Sequence, residues 1–186
     1  MEYREDIKMK KMRMIVAVTL ASATLFSMTG CVKKIEKIDE DDLMDAFEDY
    51  FDWEEQADYR ELENYEVHAT NFGDVDRPFI YDADYYLQGC GYNDEGVSAY
   101  VSYIIFEDEE DADEYFENYF ATYAEDKKDV SQSYREGDWG FFIPDNDNMF
   151  RAFYFVDDMV MEVSAYDDDG IETLKDMLKN FGYPVK

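Results

Sequence analysis

Apolar positions first recur at helical spacing at Leu43, Ala46, Phe47, Tyr50 and Phe51. Asp39 stands where an N-cap belongs, with Ile38 before it and Leu43 after it placed as a hydrophobic staple. The spacing therefore predicts a helix from Asp39 to about Tyr59. The period then changes. Tyr65-Glu66-Val67 reads as a short strand and Asn71-Phe72-Gly73-Asp74 as a turn. Phe79, Tyr81, Ala83, Tyr85 and Leu87 alternate as a strand, with Asp82 and Asp84 on the opposite face. Gly89 to Gly96 reads as a loop. Val97 to Phe106 is apolar on both faces, which suits a central strand under a helix. Asp108 then caps a second helix, Glu109 to about Glu125, whose stripe is Ala112, Tyr115, Phe116, Tyr119, Phe120 and Tyr123.

Beyond Lys127-Lys128 the pattern predicts four strands: Val130–Tyr134, Trp139–Ile143, Phe150–Val156 and Met159–Ala165. Gly137-Asp138, Pro144–Asn148 and Asp157-Asp158 punctuate them as turns, giving an antiparallel meander. A last helix follows, with Asp169 and Glu172 at capping-box spacing and Ile171, Leu174, Met177, Leu178 and Phe181 on one face. Gly182 and Pro184 stop it. The whole reads as an α+β fold, an antiparallel sheet with three helices packed mainly on one face. Strand Val97–Phe106 with its acidic cap and helix resembles strand Met159–Ala165 with the same sequel, so two similar β-rich units, each closed by a helix, are expected.

Composition adds two constraints. The 186 residues are 46% hydrophobic and 18% aromatic, enough for one packed core and unlike an acidic disordered chain. The formal net charge is −30. Nucleic acid and anionic headgroups recruit proteins through Lys and Arg, so neither is an expected partner. Cationic solutes or partners are.

The chain's start carries the most specific pattern. Arg4, Lys8, Lys10, Lys11 and Arg13 precede an uncharged run, MIVAVTLASATLFSMT, that ends at Cys31 after Gly30. A basic region, an apolar core and small residues form a secretory signal pattern, marginal in length for a permanent span. The acidic MEYRED in front leaves Met9 and Met12 as alternative starts. Met28-Thr29-Gly30-Cys31 resembles a bacterial lipobox. That resemblance implies lipidation of Cys31, cleavage after Gly30 and attachment to the extracytoplasmic face of a cell membrane. The general shape is similar to small lipoproteins of Gram-positive anaerobes. The organisation expected is a signal peptide over 1–30, a membrane-proximal tether over 31–38 and a single acidic α+β domain over 39–186.

Chemistry is sparse by comparison. Cys90, between Gly89 and Gly91, has His68 as its only histidine partner in the sequence, and nothing nearby stabilises a thiolate. Asp145-Asn146-Asp147-Asn148 opens like a calcium loop, but Met149, Phe150 and Val156 fill positions that need a ligand, a glycine and a bidentate glutamate. No phosphate loop, nucleophile elbow or zinc set is present. No catalytic residue, metal site or cofactor is expected. The aromatics suggest a binding surface, with Tyr86 and Trp139 near strand ends as its candidates. The expected function is a non-enzymatic domain binding an envelope protein, a peptide or a cationic solute. The alternative is a carboxylate-dependent hydrolase of cell-wall or glycan substrate, which needs two opposed carboxylates in a cleft.

Overall fold

The structure, a computed structural model, describes residues 32–58, 65–69, 79–94, 96–124, 130–145 and 148–185. The leader with Cys31, the expected turn at Asn71–Asp74, and Asn146 and Asp147 of the calcium-like stretch lie outside them.

Helix α1 spans Glu40–Tyr50, and the Asp39 carboxylate accepts the Asp41 N–H at its start. It stops at Tyr50, well short of Tyr59, because Phe51 is already extended and Asp52–Asp58 forms strand β1. Strands β2 (Tyr65–Ala69), β3 (Phe79–Asn93) and β4 (Gly96–Phe106) follow, then helix α2 (Glu109–Ala124). Strands β5 (Val130–Glu136), β6 (Trp139–Pro144), β7 (Phe150–Val156) and β8 (Met159–Ala165) form the meander, closed by helix α3 (Asp168–Asn180). The cap of α3 is Asp167, not Asp169: its carboxylate accepts the Gly170 N–H at 2.7 Å, which holds its pKa below the usual carboxylate range.

The fold is α+β, a sheet seven strands across with three helices packed on it. The order is β1-β3-β4-β8-β7-β6-β5, and every neighbouring pair is antiparallel. Strand β2 pairs with the first half of β3 and β1 with the second, so both border the same side of that long strand.

Alternation along the strands gives the sheet two different faces. One carries Leu87, Val101, Tyr103, Phe141, Tyr154, Met161 and Val163 and is covered by Leu43 and Phe47 of α1 and by Leu174, Met177 and Leu178 of α3. The other carries Ile104, Phe106, Phe142, Phe153, Phe155 and Val160 and is covered by Ala112, Tyr115 and Phe116 of α2. Two of the three helices thus share a face. The two β-rich halves each end in a helix, but α2 and α3 close onto opposite faces of the adjacent strands β4 and β8. A two-fold axis that exchanges adjacent antiparallel strands leaves each face where it was. The halves are therefore not related by such symmetry.

The segment expected as a tether is packed from Lys34 onward. Ile35 and Ile38 are buried in the first core, Tyr103 donates its hydroxyl to the Ile38 carbonyl and Tyr183 donates to that of Glu36. Lys34 pairs with Asp138 at 2.8 Å and Lys37 with Asp158 at 2.5 Å, at the β5–β6 and β7–β8 turns.

Candidate functional site

Helix α2 covers only part of the second face. Three rows of the ladder describe what lies beneath it and beyond it. The first runs Tyr86–Ile104–Val160–Phe155 across β3, β4, β8 and β7. Its Ile104, Val160 and Phe155 pack under Phe116 and its neighbours, with Phe116 stacked on Phe155. The next row is Gln88–Ser102–Glu162–Phe153, and the one after it Cys90–Tyr100–Ser164–Arg151. The face therefore turns from apolar to polar within two residues along β3, β4 and β8, whereas β7 keeps Phe153 and turns polar only at Arg151.

The polar part has a specific character. Gln88, Ser102 and Glu162 lie side by side on three adjacent strands at the middle of the sheet, about 5 Å apart from strand to strand. Gln88 and Ser102 make no side-chain hydrogen bond to another described residue, and neither does the Tyr100 hydroxyl. Glu162 has one ionic partner among the described residues, Arg151, whose Nε stands 3.3 Å from its carboxylate. That separation is long for a charge-assisted bond. Burial raises the Glu162 pKa despite the opposing pull of Arg151. Burial likewise raises the Tyr100 hydroxyl, with Tyr86 and Glu162 adding to the effect. Tyr115, from the start of α2, feels Glu162 and Tyr86 in the same way. Tyr100 and Tyr115 thus both feel the partly desolvated Glu162 carboxylate.

The other side of α2 is closed by a cation. Arg135 of β5 pairs with both Asp113 and Glu117, one turn apart on the helix, and lies 5.1 Å over the Phe155 ring. This clamp fixes α2 where it is and leaves the Gln88–Glu162 stripe beside it.

The two expected surface aromatics separate. Tyr86 is half-buried at the border between α2 and the stripe. Trp139 is only 3% exposed and tilts against Tyr134 at 4.8 Å in the first core, which takes it off the surface expected for it. Inward alternation, Trp139 and Phe141 on one face and Phe142 on the other, buries the whole of β6. The residues missed in sequence are Gln88, Ser102 and Glu162. A signal for one of them exists: Glu162 is the single charge within MVMEVSA, as Arg151 is within FRAFYFV.

The Cys90–His68 pair is excluded by register. Cys90 is buried in β3 opposite Glu54 and Tyr100, while His68 of β2 lies opposite Ile80. Ten residues of β3 separate the two positions, about 30 Å of strand. Burial, with Glu54 second, raises the Cys90 thiol pKa. The segment around it is strand as far as Asn93, so the expected loop from Gly89 shrinks to the short turn before Gly96. Among the described residues no group of His, Cys, Asp and Glu is arranged to hold a metal ion.

No family model matches the chain, and no curated protein matches it. Among the described residues no helix is long and apolar enough to cross a membrane. The expectation of a signal peptide and of a secreted lipoprotein held on the outer face of a cell membrane is corrected accordingly: no relative supports it. Its basis was a four-residue motif after an apolar run too short and too rich in Ala, Ser and Thr to be diagnostic by itself.

Proposed function

We propose that this protein is a non-enzymatic binding domain whose ligand lies on the Gln88–Ser102–Glu162 stripe of the second sheet face. The observation that carries the reading is the row of polar side chains on three adjacent central strands, with Tyr86 and Tyr100 beside it, in which Gln88 and Ser102 make no side-chain hydrogen bond to another described residue and Glu162 is paired with Arg151. A binding surface characteristically combines aromatic contact area with a few convergent polar groups. Strands hold these groups more rigidly than loops would. Hydrolysis of a glycan requires two opposed carboxylates, and the stripe offers one, Glu162.

The test is an amide-resolved NMR titration with a pool of blocked tripeptides that includes cationic, neutral and anionic members. Shifts concentrated at residues 86–90, 98–104 and 160–164 are the expected result. Shifts confined to other strands overturn the site. Cleavage of peptidoglycan fragments by the wild-type protein, abolished in Glu162→Gln, overturns the non-enzymatic reading.

A further inference from the structure

We infer that residues 34–38 and residues 181–185 form one latch on the first face, a strap and a tail that open and close together while the sheet beneath them stays intact. Three observations converge on this device, which lies away from the stripe of the second face. The first is that the two segments hold one another. The Tyr183 hydroxyl donates to the Glu36 carbonyl at 2.8 Å and accepts the Ile38 N–H. One side chain of the tail thus closes two backbone groups of the strap. Neither segment belongs to a strand, so no ladder satisfies those groups in its place.

The second is how each segment is fixed to the sheet. Tyr103 of β4 donates to the Ile38 carbonyl at 2.7 Å, and Tyr154 of β7 donates to the Pro184 carbonyl at 2.6 Å. Tyr154 also meets the Tyr183 ring edge-on, with centroids 4.7 Å apart. Tyr103 and Tyr154 are both buried in the first core. The hydrogen bonds therefore run from sheet to strap, from strap to tail and from tail back to sheet. If either segment leaves alone, the polar groups it held on the other are left short of partners in a half-closed apolar site. That penalty favours a joint opening.

The third is that the strap is held from afar. Its hydrogen-bonding partners Tyr103, Asp138, Asp158 and Tyr183 lie between 65 and 147 positions away in the chain. The ion pairs of Lys34 with Asp138 and Lys37 with Asp158 are a third to a half exposed, so they contribute little by themselves. Burial of Ile35 and Ile38 anchors the strap, as burial of Tyr183 anchors the tail. Short segments outside the ladder open at lower free energy than core strands do. Coupling of this kind is reciprocal: an event that loosens the tail loosens the strap by the same factor, and the reverse.

Native-state hydrogen exchange on the full chain tests the latch. Ile38 reports the strap, Gly182 and Tyr183, whose N–H groups are bonded to Lys179 and Leu178, report the tail, and Phe142 and Phe153 report the central strands. In the wild type the three latch amides are expected to share one protection factor, at least about tenfold below that of the strand amides. Tyr154→Phe removes the tail's bond to the sheet and Tyr103→Phe the strap's. Each is expected to speed exchange at all three latch amides by a common factor of about threefold to tenfold, the worth of one buried hydrogen bond. A rise confined to the segment that lost its bond, or no rise at either, overturns the latch. Latch amides as protected as Phe142 and Phe153 in the wild type show that the ends open only with the whole domain, and overturn it too. Should a phenylalanine variant fail to fold, Lys34→Gln perturbs the strap from the surface. There a matched rise of about twofold at the three amides is expected, and a rise at Ile38 alone is the refuting result.

Discussion

A single methyl group added to β3 tests how the first face is assembled. Gly89 and Gly91 both lie on that face, opposite Glu55 and Trp53 of β1. The Trp53 indole packs directly on Gly89, so a Cβ built there comes within 2.0 Å of Trp53 Cη2, and at Gly91 it would come within 2.6 Å of Phe51 Cγ. Backbone entropy alone favours Gly89→Ala by about 0.5–1 kcal/mol, since glycine in a strand interior is costly. Against this, displacing a packed side chain costs about 1–3 kcal/mol. Moving Trp53 also disturbs its contact with Phe47, whose ring centroid is 5.0 Å away, a loss of about 0.5–1.5 kcal/mol. The clash wins, and Gly89→Ala should destabilise by about 1–3 kcal/mol. For a domain of this size that is a fall in Tm of about 3–10 °C. Trp53→Ala removes the obstruction, so in that background the same methyl should be neutral or stabilising by up to about 1 kcal/mol. Urea denaturation of the wild type, both single variants and the double variant gives the coupling energy, expected at about 2–3 kcal/mol. Gly89→Ala within about 0.5 kcal/mol of wild type, or an equal loss in both backgrounds, would refute the reasoning.

Three further outcomes follow from the electrostatics. Burial raises the folded pKa of Glu162 above its ordinary 4.5 even with Arg151 alongside and Tyr100 and Tyr115 nearby, so the stability associated with its protonated form is complete below that value and lost as pH rises through the folded pKa. Glu162→Gln should therefore melt above wild type at pH 7 and together with it below about pH 4; a lower Tm at pH 7 contradicts the sign. In the folded Cys31→Ser protein, the alkylation rate of Cys90 should have its pH midpoint above the ordinary thiol value of about 8.5, and a midpoint below about 7 would restore a reactive thiol. Self-repulsion at net charge −30 should make Tm rise as sodium chloride goes from about 10 to about 150 mM, and a flat or falling Tm shows that the charge is locally compensated.

Periodicity alone located α2, α3 and strands β4 to β8, because each carries its apolar residues at the spacing of one secondary structure and is bounded by Asp, Gly or Pro. It also conveyed the antiparallel meander, since the Gly137-Asp138 and Asp157-Asp158 turns are too short for any other connection. It failed where local preference and tertiary demand diverge. Asp52–Asp58 is rich in acids and continues a helical run, yet it pairs as a strand because Phe51 and Trp53 find slots over Gly91 and Gly89, partners nearly forty positions away. The same pairing turns an apparent glycine loop into strand. Alternation shows that neighbouring side chains point to opposite faces, but which face is covered depends on where the following helix returns. Trp139 is therefore buried in the first core while Tyr86 is only half-buried at the edge of the α2 cover. Glu162 was visible as a lone charge in an apolar strand, whereas its alignment with Gln88 and Ser102 was not, because register between strands distant in sequence is set by the packing of both faces and by no local signal.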